Sequence, residues 1–124
     1  MLDTDVLIDI QRAKPSAVAW FSRLTELPLV PGFVAMELIQ DAQNVGQVRR
    51  VQQMFAPLPI VWPSSVDCGI APDLFSRLHL SHGLGLLDAL IAATALGRSA
   101  TLCTYNVKHY RSVANLSLHQ PYQR

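Results

Sequence analysis

Three acidic residues of this sequence stand among hydrophobic residues with no basic residue close by: Asp3, Glu37 and Asp88. A buried carboxylate is unfavourable by several kcal/mol unless it is paired with a cation or binds a metal. Asp88 lies in residues 84–96, the most apolar segment of the chain, and the next basic residue after it is Arg98. Three embedded acids without an embedded base indicate that their partner is a cation from solution.

The chemistry that suits such a set of acids is binding of a hard divalent cation. Mg²⁺ and Mn²⁺ prefer carboxylate and water oxygens. An ion held in this way can acidify a bound water and stabilise a phosphodiester during in-line attack. We expect Thr104 and Asn106, which follow a predicted strand, to orient a carboxylate or the bound water, although both are also common turn residues. The four histidines show no zinc spacing with cysteine, which argues against a zinc site.

Each acid also has a purely structural interpretation. Asp3 can cap the helix that follows a strand end. Asp5 and Asp88 suit the first turn of a helix, where the helix dipole favours an acid. Glu37 can extend from an amphipathic helix into water. The metal-site interpretation therefore requires that Asp3, Glu37 and Asp88 converge in space.

Composition predicts one folded domain spanning residues 1–124, since half of the chain is hydrophobic and only 15% is charged. The net charge of +1 neither requires nor excludes a polyanionic partner. Arg49 and Arg50 are the only adjacent basic pair, and we interpret them as a solvated helix face, with phosphate contact as the alternative. Neither a signal peptide nor a membrane span is expected. We expect Cys68 and Cys103 to be buried, reduced thiols of a cytoplasmic protein.

Predicted strands alternate with predicted helices along the whole chain. Short strands are expected at residues 1–3, 27–30, 58–61, 101–103 and 116–118. Helices are expected at residues 6–10, 15–24, 33–42, 47–55, 66–80, 86–96 and 107–112, with Pro72 breaking or kinking the fifth and residues 79–83 forming a loop. Thr4 and Asp5 are expected to cap the first helix, and Gly97 to end the sixth. The alternation predicts a parallel α/β sheet with helices on both faces.

Polar residues follow two of the predicted strands. The segment from Asp3 to Asp5 comes after the first strand, and the segment from Thr104 to Asn106 comes after the fourth. In open parallel sheets, binding sites form beyond the carboxyl ends of the strands. The acids therefore fall where this architecture places a site.

Taken in order, four segments of the chain resemble the PIN-domain family, and most closely the VapC-like toxins of type II toxin–antitoxin pairs. They are residues 2–8 with Asp3, the helix with Glu37, residues 87–95 with Asp88, and residues 104–110 with Thr104 and Asn106. The resemblance extends from Leu2 to about Pro121. It implies a three-layer α/β/α fold with a central, mostly parallel sheet of four to five short strands.

The resemblance also implies an activity. It implies an endoribonuclease whose Asp3, Glu37 and Asp88 bind Mg²⁺ or Mn²⁺ and whose metal-activated water cleaves RNA. It further implies a homodimer and a small VapB-like antitoxin that blocks the site. Such antitoxins carry a DNA-binding part, so operator DNA would be contacted only through the antitoxin.

Two positions depart from the family pattern. The family commonly has Asn where this chain has Asp5, which adds either a ligand or a hydrogen-bond acceptor. A fourth acid often follows the Thr-x-Asn motif, and His109 stands there in this sequence. We therefore expect one metal ion, with Asn106 and Asp5 supporting it.

Two other functions fit parts of the pattern. The chain could be a binding module of the same fold that dimerises and engages an antitoxin with little or no nuclease activity. Alternatively, Asp3-Thr4-Asp5 resembles the DxD opening of phosphatases in which the first Asp is the nucleophile. That class also needs a downstream Lys and a later acidic pair, and neither has a suitable strand context in this sequence.

Overall fold

A parallel sheet of five short stretches runs through the computed structural model, which describes all 124 residues. Strand β1 (Val30–Pro31) pairs with β2 (Ile60–Val61), and β3 (Leu102–Cys103) pairs with β4 (Leu118–His119). Leu2 joins the two halves, because it forms a parallel bridge with Cys103 and its N–H donates to the Leu29 carbonyl at 2.9 Å. The spatial order is therefore β2, β1, Leu2, β3, β4.

This order makes the fold doubly wound. The chain moves outward from Leu2 to β1 and β2, and then returns to the other side of Leu2 for β3 and β4. Because parallel crossovers are right-handed, the reversal places the connecting helices on opposite faces of the sheet. The predicted three-layer arrangement and parallel sheet are confirmed. The reversal occurs between Leu2 and β3, and such a point opens a crevice beyond the strand ends.

Seven helices surround the sheet. They are α1 (Thr4–Gln11), α2 (Pro15–Ser22), α3 (Gly32–Gln40), α4 (Val45–Phe55), α5 (Ser65–His82), α6 (Leu86–Gly97) and α7 (Val107–Tyr110). Their buried faces and the strands form one core of 23 hydrophobic residues. None of the helices combines the length and the apolar character needed to cross a bilayer.

Helices α5 and α6 pack closely where small residues allow it. The inner face of α6 is formed largely by alanines. Its last residue, Gly97, approaches Asp67 of α5 so closely that an added Cβ would lie 2.1 Å from Asp67 Oδ1. Asp67 is in turn held by the capping box with Ser64 at the start of α5. The contact fixes the end of α6 against the beginning of α5.

Three expectations about local structure are wrong. Asp3, rather than Thr4 and Asp5, caps α1, because the helix begins at Thr4. Residues 79–83 do not form the expected loop, because α5 continues to His82 and ends where Gly83 adopts the left-handed conformation with a φ of 72°. Pro72 lies inside this helix without ending it. Cys68 is exposed because it lies one residue off the buried stripe of α5, and both cysteines are free.

Candidate active site

The site lies at the point where the sheet order reverses. The N–H of Asp3 donates to the Cys103 carbonyl at 3.0 Å, and the N–H of Thr104 donates to the His119 carbonyl at 3.0 Å. These bonds extend the sheet by one residue beyond Leu2 and beyond β3. The side chains that follow these two neighbouring stretches consequently project into the same crevice.

Four carboxylates from three helical segments line one cavity of about 220 Å³, which we call the acidic cavity. Its lining consists of Asp3, Thr4, Asp5, Ile8, Glu37, Asp88 and Asn106. No Lys or Arg belongs to this lining. The structure thus brings together the three principal acids of the sequence hypothesis, and with them Asp5 and Asn106. Their roles in metal binding and catalysis stay predictions.

Asp3 is buried and held at both carboxylate oxygens. The Thr104 hydroxyl donates to Oδ2 at 2.8 Å, and the N–H of Thr4 donates to Oδ1 at 2.8 Å. Burial, together with the neighbouring Asp5 and Asp88 carboxylates, raises the pKa of Asp3 to about 7 against the lowering effect of the two hydrogen bonds. Asp3 therefore caps α1 and also presents an unneutralised acid to the cavity.

One carboxylate oxygen of Asp5 accepts a hydrogen bond and the other has no partner. Its Oδ2 accepts the N–H of Tyr105 at 2.8 Å and lies 3.4 Å from the Thr104 hydroxyl. Its Oδ1 is buried and has no hydrogen-bond partner. Buried polar atoms are nearly always paired, so this oxygen indicates a missing donor or cation in the cavity. First-turn placement in α1 alone does not account for it.

Glu37 is positioned by α3 beside the first turn of α1. The Thr4 hydroxyl donates to Glu37 Oε2. Glu37 is half-buried and forms no ion pair with a basic residue. It therefore lies in the cavity instead of extending freely from the helix surface, and Thr4 links it to the N-terminal acids.

Asp88 lies among donors from the loop that precedes α6 and from α7. In the first turn of α6, its Oδ2 accepts the N–H of Gly85 at 3.0 Å and lies 3.2 Å from His109 Nδ1. The Tyr110 hydroxyl donates to Oδ1 at 3.2 Å. Asn106 Nδ2 lies 2.8 Å from His109 Nδ1 as well. His109 Nδ1 can donate to Asp88 when it carries a proton, or accept from Asn106 when it does not, but it cannot do both at once.

Tyr110 and Thr4 are the site residues that the sequence did not single out. Tyr110 is fully buried, and its hydroxyl fixes one oxygen of Asp88. A buried tyrosine usually places its hydroxyl on a partner, which is a signal that some polar group lies near it. Nothing in the sequence identifies Asp88 as that partner.

The arrangement is strongly acidic but is not a finished coordination shell. The structure contains no group of three or more His, Cys, Asp or Glu side chains already arranged to hold a metal ion. Hydroxyl, amide and imidazole donors satisfy part of the acid set, and Asp5 Oδ1 stays unsatisfied. The donor atoms that line the cavity are all oxygens or the Asn106 amide, which is the chemistry that hard divalent cations prefer.

Comparisons with known proteins agree with this architecture. The PIN domain family model matches residues 1–115. Ribonuclease VapC10 of Mycobacterium tuberculosis is 31% identical over 112 residues, which are 89% of this chain and 84% of the relative. VapBC2 from Rickettsia felis, solved bound to a DNA fragment from its promoter, is 25% identical, with a TM-score of 0.79 and 96% of each chain covered.

A toxin–antitoxin complex from Klebsiella pneumoniae has the same fold, with a TM-score of 0.80 at 23% identity and 99% and 98% of the two chains covered. The resemblance inferred from the four sequence segments is confirmed, since the family model spans nearly the whole chain and a relative exceeds 30% identity. The chain belongs to the PIN-domain family and, within it, is similar to the VapC ribonucleases.

Proposed function

We propose that this protein is a divalent-metal-dependent endoribonuclease that acts as the toxin of a toxin–antitoxin pair. The observation that carries the proposal is the acidic cavity, in which Asp3, Asp5, Glu37 and Asp88 meet without a Lys or Arg counterion. Such a cluster is electrostatically unfavourable until a cation joins it. The family and the names of the relatives support the ribonuclease assignment.

The residues present fit a hard divalent cation. Asp3, Glu37 and Asp88 would hold Mg²⁺ or Mn²⁺, and the orphan Oδ1 of Asp5 marks a further position for an oxygen ligand or a hydrogen-bonded ligand water. When bound, the ion supplies charge stabilisation of the phosphodiester and acidifies the attacking water. Loss of the Asp3 proton would accompany binding, because its pKa is raised to about 7 by burial.

The other residues of the site orient these carboxylates. Thr104 donates to Asp3 and lies beside Asp5, while its own oxygen accepts the N–H of Asn106 at 2.9 Å. Tyr110 fixes Asp88 from inside the core, and His109 contacts the same carboxylate from the Asn106 side. Outer partners of this kind keep ligands in one rotamer.

We propose a single metal ion. His109 occupies the place where the family often has a fourth acid, and its ring lies against Asp88 Oδ2 at 3.2 Å. A half-exposed imidazole whose Nδ1 lies within hydrogen-bond distance of a carboxylate and an amide adds no anionic oxygen for a second hard cation.

We also propose the partners that such toxins have. Those are a VapB-like antitoxin that blocks the acidic cavity and a second copy of the chain, with operator DNA reached only through the antitoxin. The solved neighbours support the antitoxin, since the one from Klebsiella pneumoniae is a toxin–antitoxin complex and VapBC2 from Rickettsia felis is bound to promoter DNA. The phosphatase alternative has no support in these comparisons.

Cleavage of labelled RNA by the purified protein, freed of any partner, tests the proposal. We expect cleavage with Mn²⁺ or Mg²⁺, none with EDTA, and a loss of more than roughly 100-fold in Asp88→Asn, because a ligand is removed with little change in volume. Asp73→Asn is the matched control, since Asp73 is an exposed acid paired with Arg77 on α5. It should keep full activity.

The remaining outcomes separate the alternatives. Cleavage that persists in EDTA or in Asp88→Asn contradicts the proposed mechanism. A protein that binds an antitoxin but cleaves no RNA under any metal condition is the binding module of the same fold.

A further inference from the structure

The acidic cavity cannot hold RNA by its own charge. Its lining has four acids and no Lys or Arg, whereas RNA carries a negative charge at every phosphate. One bound divalent ion neutralises only part of this repulsion. Cations outside the cavity are therefore required to hold the phosphates that flank the cleaved bond.

A larger cavity of about 540 Å³ adjoins the acidic cavity, and we call it the arginine groove. It lies between α1, α3 and α4, and Ile8 belongs to the lining of both cavities. Arg12, at the end of α1, and Arg50, in the middle of α4, line it together with Gln11 and Gln47. A groove lined by two cationic side chains thus lies beside the site, with Ile8 between them.

The two arginines are available for a ligand. Arg12 and Arg50 are exposed and form no ion pair, whereas Arg77 and Arg124 are paired with carboxylates. Asp41 is the one acid in the lining, so the groove keeps an excess of one positive charge. This sign is opposite to that of the acidic cavity beside it.

The spacing along α1 suits a strand that passes from one cavity to the other. Asp3 caps the start of this helix and Arg12 caps its end, which separates them by about 13.5 Å along the axis at 1.5 Å per residue. That distance is spanned by a few nucleotides of single strand. Guanidinium groups bind phosphate in a bidentate manner, while the partly exposed apolar residues Ile10 and Met54 of the groove offer a surface for bases.

We infer that single-stranded RNA reaches the acidic cavity through the arginine groove, with its phosphates bound by Arg12 and Arg50. The inference rests on the proposed ribonuclease function and names the path of its substrate. The unpaired Arg12 and Arg50, and the position of the groove beside the acidic cavity, favour RNA over a protein segment as the occupant.

Binding of a fluorescent single-stranded RNA of about 12 nucleotides, a length typical of single-strand sites, tests the inference by anisotropy in EDTA over a range of salt concentrations. For R12Q/R50Q we expect affinity to fall roughly tenfold or more, and the slope of log K against log salt to shrink by about 1.4, which is 0.7 for each lost phosphate contact. R12K/R50K should recover most of the slope, because it keeps both charges. In cleavage assays, R12Q/R50Q should raise KM more than it lowers kcat.

R23Q/R98Q is the matched control, because it removes two arginines that line neither cavity. It should bind RNA with the wild-type slope. Wild-type affinity and slope in R12Q/R50Q would overturn the inference and leave the groove as a surface for another partner. Absence of RNA cleavage by the wild-type protein would instead refute the proposed function, so the two failures are distinguishable.

Discussion

Asp3 is a residue of the candidate site that lowers the stability of the fold at neutral pH. It is buried at the end of the first sheet stretch, its hydrogen bonds come from Thr104 and the Thr4 N–H, and no basic residue neutralises it. Burial raises its pKa from 3.8 to about 7. Active-site groups retained at a cost in stability are common, because selection acts on function.

We predict that Asp3→Asn flattens the pH dependence of stability. In the wild-type protein without metal, the raised pKa means that Asp3 stabilises the fold fully below about pH 4 and that this contribution is lost as pH rises to about 7. This loss of unfolding free energy between about pH 4 and pH 7 is at most about 4 kcal/mol. An uncharged Asn avoids it, although its single side-chain oxygen can accept only one of the two hydrogen bonds that Asp3 accepts. Denaturant unfolding in EDTA at several pH values measures the difference.

Asp9→Asn is the control with the opposite sign. Burial alone would raise the pKa of Asp9, but hydrogen bonds from Arg124 and Tyr122 and the charge of Lys14 outweigh it, so that the pKa is lowered. The ionised Asp9 carboxylate therefore stabilises the fold above about pH 4, and this stabilisation is lost as the pH falls below that value. Asp9→Asn should accordingly be less stable than wild type at neutral pH. Parallel stability curves for wild type and Asp3→Asn would contradict the account of Asp3.

At the scale of elements, the alternation of strands and helices could be predicted from the sequence because periodicity and Pro or Gly positions mark it. Element ends could not always be predicted. Whether Asp3 or Thr4 caps α1 depends on which backbone groups the sheet already uses. Helix α5 tolerates Pro72 because that residue is exposed and the helix is fixed by packing against α6.

The candidate site was predictable only in part, because a sequence shows residue types but not the contacts between elements. Acids in apolar segments are visible in a sequence, and Asp3, Glu37 and Asp88 do line one cavity. Contacts between elements are not visible. The link from Tyr110 on α7 to Asp88 on α6 depends on how these helices pack.

Tyr110→Phe tests the role of α7 as the element that positions Asp88. The buried ring is kept and only the hydroxyl that donates to Asp88 is lost, so we expect Mn²⁺ affinity to fall by about 10- to 100-fold with little change in fold. Tyr105→Phe is the matched control, because its hydroxyl bonds the Tyr122 backbone away from Asp88. Isothermal titration with Mn²⁺ measures both variants, and equal affinities would show that Tyr110 serves packing alone.

At the scale of the whole molecule, the site follows from the order of the sheet. The reversal between Leu2 and β3 brings the polar residues after two distant segments to one edge, and α3 and α6 add one acid each. The charges are unevenly distributed although the net charge is only +1, because an acidic cavity adjoins a groove with two unpaired arginines. Charge separation of this kind suits a metal-dependent enzyme that acts on a polyanion.

The most direct test of the central claim is titration of the metal-free protein with Mn²⁺ by calorimetry. We expect one saturable Mn²⁺ site in the wild-type protein, its retention in Asp73→Asn and its loss in Asp88→Asn. Wild-type protein that binds no Mn²⁺, or Asp88→Asn that binds it with wild-type affinity, would contradict the claim that these acids assemble around a divalent ion.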